Sequence, residues 1–140
     1  MPEGALLGKR ATETLKKILV VDDEEKITLF LKAYLEDTGK YQVQAENSGK
    51  SAYEAALNFC PDLILLDIMM KDMSGDALAD KIKGDPLLRK TPIVFLTGIV
   101  TKEEVQENGG VIGGYPYLAK PILNMNELLD CIEANFRKSD

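Results

Sequence analysis

The chain has 140 residues, of which 45% are hydrophobic and 29% charged, with a formal net charge of −6 and no histidine at all. That balance belongs to a globular domain long enough to bury a real core, and it excludes a disordered chain. The acidic surplus argues against nucleic acid or an anionic membrane as the main partner. Without histidine the commonest metal ligand and general base is gone, so any chemistry must run on carboxylates, lysine and hydroxyls.

The opening "MPEGALLGKR" has too short an apolar core for a signal peptide, and no apolar run is long enough to span a bilayer. A cytoplasmic location is the expected default. Residues 1–15 carry no periodic pattern and are expected to form a flexible arm ahead of a single domain at 16–138. Cys60 and Cys131 have neither metal nor redox spacing and are read as reduced packing residues.

"KILVV" (Lys17–Val21) predicts a strand buried on both faces. A helix is expected from about Glu24 to Asp37, with Ile27, Phe30, Leu31, Tyr34 and Leu35 inward and Gly39 as its stop. "YQVQA" (Tyr41–Ala45) alternates as a half-exposed strand does. An Ala-rich helix follows at about Lys50 to Asn58, and Pro61 blocks its continuation. "LILL" (Leu63–Leu66) is a second fully apolar strand, followed by a helix from about Gly75 to Lys83 with Leu78 and Ile82 inward. Pro86 and Pro92 bracket a connector to "IVFL" (Ile93–Leu96), another buried strand. "TKEEVQEN" (Thr101–Asn108) predicts a thin helix with Val105 as its large apolar residue. "YPYLA" (Tyr115–Ala119) is the fifth strand. The last helix, from about Asn126 to Lys138, turns Leu128, Leu129, Ile132 and Phe136 inward.

Five strands alternating with five helices predict an α/β, doubly wound, five-stranded parallel sheet with helices on both faces. The three greasiest strands should be central and the polar second strand an edge. Pro116 cannot donate to a ladder, so the fifth strand should be the other edge. The order 2-1-3-4-5 of a flavodoxin-like sheet meets both demands.

Function in such a sheet collects at the carboxyl ends of the strands. Those ends read Asp22-Asp23, Asp67, Thr97-Gly98 and Lys120-Pro121. Taken singly each has an ordinary use: the acid pair as helix N-terminal charge, Thr97 as a turn residue, Lys120 as a solvated strand end. Converging on one patch, they suggest chemistry. Three packed carboxylates repel unless a cation neutralises them, and all-oxygen ligands fit a hard metal, Mg²⁺ or Mn²⁺. A lysine and a threonine beside that metal can hold two oxygens of a phosphoryl group, with the central carboxylate as its acceptor.

At these residues the chain resembles the receiver domain of bacterial two-component response regulators. The resemblance rests on "LVVDDE", "LILLDIMMKDMSG", "PIVFLTG" and "YLAKP", in the family's order and spacing, and spans about Lys16 to Lys138. It implies Asp67 as phosphoacceptor, and Asp22 and Asp23 as Mg²⁺ ligands joined by the backbone carbonyl of Met69. Thr97 becomes the switch hydroxyl, Lys120 the phosphate-contacting cation and Tyr117 the switch aromatic, with the Lys120–Pro121 bond cis. The implied partner is a sensor histidine kinase or phosphotransfer protein. On phosphorylation the surface of the fourth helix, fifth strand and last helix would change. Such a domain is a regulator, not an enzyme, catalysing only its own phosphorylation and dephosphorylation.

Lys71, where the family commonly has proline, is read as a solvated loop lysine, and "ENGGVIGGYPY" is unusually glycine-rich. With no further domain after the last helix, the expectation is a module acting through a downstream protein, or a piece of a larger chain. Met69 and Ile99, each two residues beyond a site residue, are expected to flank the phosphoryl group and keep water from it. Two other readings stand beside this one. The first is a pseudo-receiver, an interaction module that is never phosphorylated. The second is a haloacid-dehalogenase-like, Mg²⁺-dependent phosphohydrolase with an aspartate nucleophile, against which Met69 stands where a general acid is needed.

Overall fold

The computed structural model describes residues 15–98, 102–107, 111–112, 114–122 and 124–139. Residues 1–14 of the predicted arm, Ile99 and the side chain of Val105 lie outside the described set. Strands β1 (Lys16–Val21), β2 (Tyr41–Glu46), β3 (Leu63–Asp67), β4 (Ile93–Thr97), β5 (Val111–Ile112) and β6 (Tyr115–Ala119) alternate with helices α1 (Glu25–Asp37), α2 (Gly49–Phe59), α3 (Gly75–Lys83), α4 (Lys102–Glu107) and α5 (Met125–Ser139).

The sheet runs β2-β1-β3-β4-β6-β5. Its first five strands are parallel and match the predicted order, with β6 as the fifth strand of the sequence reading. The prediction fails at the far edge. There β5, two residues long, pairs antiparallel outside β6, with Val111 opposite Pro116 and Ile112 opposite Tyr115. The physical reason lies in the glycine-rich segment: Gly114 takes φ +88, the positive region that a tight hairpin between β5 and β6 requires. Pro116 costs the sheet nothing on its inner side, because the ladder to β4 begins one residue later, at Phe95 opposite Tyr117.

Continuous apolar strands serve two cores because alternate side chains point to opposite faces. Leu19, Val21, Ile64, Leu66 and Phe95 meet Ala52, Ala56, Leu78 and Ile82 of α2 and α3 on one side. Ile18, Val20, Leu63, Leu65, Val94 and Leu96 meet Leu31, Leu35, Leu128, Ile132 and Phe136 of α1 and α5 on the other. Leu129 and Tyr34 pack only partly against this second core.

Phe30 departs from the expected inward set. Thr28, Leu31 and Leu35 take the buried stripe of α1, while Phe30 is 57% exposed and stacks on Tyr34 at 6.4 Å between ring centroids. One residue along a helix turns the side chain by roughly 100°, enough to carry Phe30 off the core-facing stripe. The stop signals act as expected: Gly39 adopts φ +79 just past α1, and Cys60 closes α2 in the left-handed region directly before Pro61.

Candidate phosphoacceptor site

The sheet register brings the strand ends together. Val21 lies opposite Leu66, Asp67 opposite Leu96, and Thr97 opposite Ala119, so Asp22, Asp67, Thr97 and Lys120 leave the sheet at one level. One carboxylate oxygen from each of Asp22, Asp23 and Asp67 falls within 4.8 Å of the others. Asp22 and Asp67 are 1% and 4% exposed, and Thr97 is fully buried. Lys120 Nζ reaches across the cluster, 2.6 Å from Asp22 Oδ2 and 3.6 Å from Asp67 Oδ1. The Lys120–Pro121 bond is cis, and Lys120 N donates to the Thr97 carbonyl at 2.9 Å. The five predicted polar residues are thus in one place.

Burial pushes the Asp67 carboxyl above the usual aspartate range, and the charge of Asp22 adds to the effect. Lys120 and the Met69 backbone N–H, which donates to the carboxylate, work against it. Burial alone would loosen the proton on Lys120. The hydrogen bond to Asp22 and the charges of Asp22 and Asp67 outweigh that and hold it above its ordinary value. Three carboxylates against one ammonium leave a formal charge of −2 in the cluster. A divalent cation cancels that charge, and an all-carboxylate set suits a hard ion such as Mg²⁺ rather than a thiophilic one.

The cluster opens into a cleft of about 730 Å³ whose lining includes Asp23, Phe30, Asp67, Met69, Lys120 and Ile122. Met69 is 61% exposed at this mouth, and Lys71 is exposed as expected. Tyr117 sits half-buried on β6 with its ring 5.1 Å from that of Phe95, on the α2–α3 side of the sheet. Burial, then the charge of Asp76, raises its hydroxyl pKa.

Three supporting residues have no forecast role. Gly75 fits where a Cβ would strike the Asp67 carbonyl oxygen and come 2.7 Å from Ile68 Cα, so the start of α3 rests on the backbone of Asp67 itself. Asn47 Nδ2 donates to the Asp22 carbonyl at 2.8 Å and to Thr28 Oγ1 at 2.9 Å, tying the acid pair to α1. Asp72 accepts from the backbone of α2. The dipeptide Ser74-Gly75 is a turn signal that could have flagged the first. The other two are long-range contacts with no local trace.

The response regulator receiver domain profile matches residues 18–133, and the chain belongs to that family. Its members are phosphoacceptor signalling domains of two-component systems, regulators rather than enzymes in general, and they bind Mg²⁺ at an acidic pocket. The phosphate regulon transcriptional regulatory protein PhoB of Pseudomonas aeruginosa is 36% identical over 124 residues, 89% of this chain and 53% of that protein. A probable cyclic di-GMP phosphodiesterase of Vibrio cholerae is 36% identical over 105 residues, 75% of this chain and 23% of its own length. The chain therefore spans between about a quarter and a half of these curated relatives. Among solved structures, the chemotaxis protein CheY4 of Vibrio cholerae superposes with a TM-score of 0.74 at 30% identity, covering 87% of this chain and 99% of that one. The receiver reading thus stands over the phosphohydrolase one. Among the described residues no helix is long and apolar enough to cross a membrane.

Proposed function

We propose that Asp67 is the phosphoacceptor and that residues 16–138 are the working unit. A carboxylate oxygen of Asp67 attacks the phosphorus of a phosphohistidine on a sensor kinase or phosphotransfer protein. The P–N bond breaks, its electron pair stays on the imidazole nitrogen, which takes a proton from solvent, and an acyl phosphate remains. Asp22, Asp23 and Asp67, with the Met69 backbone carbonyl, would hold Mg²⁺. When bound, that ion offsets the negative charge gathering on the transferring oxygens. Lys120 draws the Asp67 carboxyl back toward ionisation against its burial and is within reach of a phosphoryl oxygen, and the Thr97 hydroxyl takes another. Drawing Thr97 toward the phosphate frees space for Tyr117 to turn inward, which alters the α4–β6–α5 surface read by a downstream protein.

The partner's histidine would enter by the cleft beside Asp67, whose apolar rim of Ile27, Phe30 and Ile122 suits a helical protein surface rather than nucleic acid. The observation that carries the proposal is the convergence of three acids within 4.8 Å, bridged by one lysine at 2.6 and 3.6 Å. The test is labelling with a small phosphodonor such as acetyl phosphate, with and without Mg²⁺. The wild type should gain a hydroxylamine-sensitive adduct only with the metal, and Asp67→Asn should gain none. An unlabelled wild type makes this chain a pseudo-receiver. A labelled Asn variant moves the acceptor elsewhere.

A further inference from the structure

The loop 68–74 between β3 and α3 carries Met69 past the acid cluster, yet Met69, at 61%, and Lys71 are both exposed. Besides the Met69 N–H bond to Asp67, two anchors cross it. At its ends, Gly75 N donates to the Ile68 carbonyl at 2.7 Å. In its middle, Asp72 Oδ1 accepts from Gly49 N at 3.0 Å and Asp72 Oδ2 from Lys50 N at 3.1 Å. Those are the first two backbone donors of α2, groups a helix cannot satisfy within itself. The helix's own cap handles the next two: Ser51 N donates to Ser48 Oγ at 3.1 Å and Ala52 N to the Ser48 carbonyl at 3.0 Å.

The acceptor loop therefore completes the cap of a neighbouring helix with both oxygens of one carboxylate. The bonds from Gly49 and Lys50 hold that carboxyl below the usual aspartate range. The approach is close, since a Cβ at Gly49 would lie 2.9 Å from Met73 Cβ. Helix α2 is a firm support, because Ala52, Ala55 and Ala56 are buried against the sheet.

We infer that Asp72 is a positioning residue: its two-pronged bond to the N-terminus of α2 fixes the loop so that the Met69 carbonyl and the Asp67 carboxylate stay aligned for a divalent cation. The inference rests on the acid cluster being a metal site. An exposed loop held only by its end anchor and by the Met69 N–H bond to Asp67 would sample more orientations of the Met69 carbonyl, from which the ion must then select, at a cost in affinity.

The test compares wild type, Asp72→Asn and Asp72→Ala by calorimetric titration with Mg²⁺ and by amide hydrogen exchange. Asp72→Ala should weaken Mg²⁺ binding by about tenfold and speed exchange at Gly49, Lys50 and residues 69–73. Asp72→Asn, which keeps one carbonyl acceptor, should fall between. Adding Lys71→Pro to Asp72→Ala stiffens the loop by another route, because proline fixes its own φ and restricts Met70. That double variant should regain Mg²⁺ affinity while Gly49 and Lys50 stay unprotected, a split that a merely structural role would not produce. Unchanged Mg²⁺ affinity in Asp72→Ala, or an Asn variant as weak as the Ala one, overturns the inference. A wild type that takes no Mg²⁺ overturns the metal reading itself, and is told apart because it fails before any variant is compared.

Discussion

Asp67→Asn keeps the shape of a side chain that is 4% exposed and removes its charge. In the metal-free protein that charge faces Asp22 and Asp23 within 4.8 Å and Lys120 at 3.6 Å. With an effective dielectric of about 20, each acid pair costs roughly 3–4 kcal/mol and the lysine returns roughly 4–5 kcal/mol. The balance, on the order of 2 kcal/mol against the charge, is joined by the desolvation that dominates the raised pKa of Asp67. The Asn chain should therefore melt several degrees higher than wild type in EDTA. Mg²⁺ should narrow the gap, since at about a hundredfold excess over Kd a ligand adds roughly 2.7 kcal/mol to the form that binds it. The pH dependence has a definite sign. A carboxyl whose folded pKa is raised carries its penalty above that value and sheds it below the unfolded value. The difference between the two chains should thus shrink as pH falls into the ordinary aspartate range. Calorimetric melts across pH, with and without Mg²⁺, read all of this. An Asn variant that melts at or below wild type in EDTA at neutral pH refutes the electrostatic picture.

Gly75→Ala should cost about 1–3 kcal/mol as an overpacked contact and slow phosphodonor labelling, because the added Cβ strikes the Asp67 carbonyl and Ile68 Cα; urea melts and labelling rates check both. Helix α4, only six residues long, is too short to sustain itself and should be the least protected helix in amide exchange, gaining protection on phosphorylation. Uniform protection of all the helices contradicts this.

Much of this protein was legible because its strands are greasy and its turns are marked. Runs such as "LILL" and "IVFL" name central strands, and their ends name the site, since register alone aligns Asp67 with Leu96 and Thr97 with Ala119. Phe30 was misplaced because an amphipathic stripe on α1 fixes which side is apolar only to within a residue. Strand β5 was missed because two residues between glycines carry no periodicity; its existence rests on a positive φ at Gly114. Asp72 and Asn47 were silent for a different reason. Their partners lie 23 and 25 positions away, so only the folded chain brings them together.

Met69 gives the apolar stretch that follows Asp67 a use. It is 61% exposed, costly for a large apolar side chain, and it lines the same cleft as Asp67. Water that hydrolyses an acyl phosphate must approach the phosphorus in line with the breaking P–O bond to Asp67. A polar side chain at the mouth can orient that water, whereas a thioether offers it almost no hydrogen bond and occupies the approach. Met69→Asn should therefore shorten the acyl-phosphate lifetime, by about tenfold if the oriented water gains ~1.4 kcal/mol in the transition state. Because the side chain stands in solvent, melting temperature should move little, which separates gating from damage to the fold. The assay is single-turnover decay of the labelled protein after the phosphodonor is removed, with wild type expected to hold its phosphoryl group for minutes or longer. A wild-type lifetime of seconds, or an Asn variant that decays no faster, would show that Met69 does not keep water from the phosphorus.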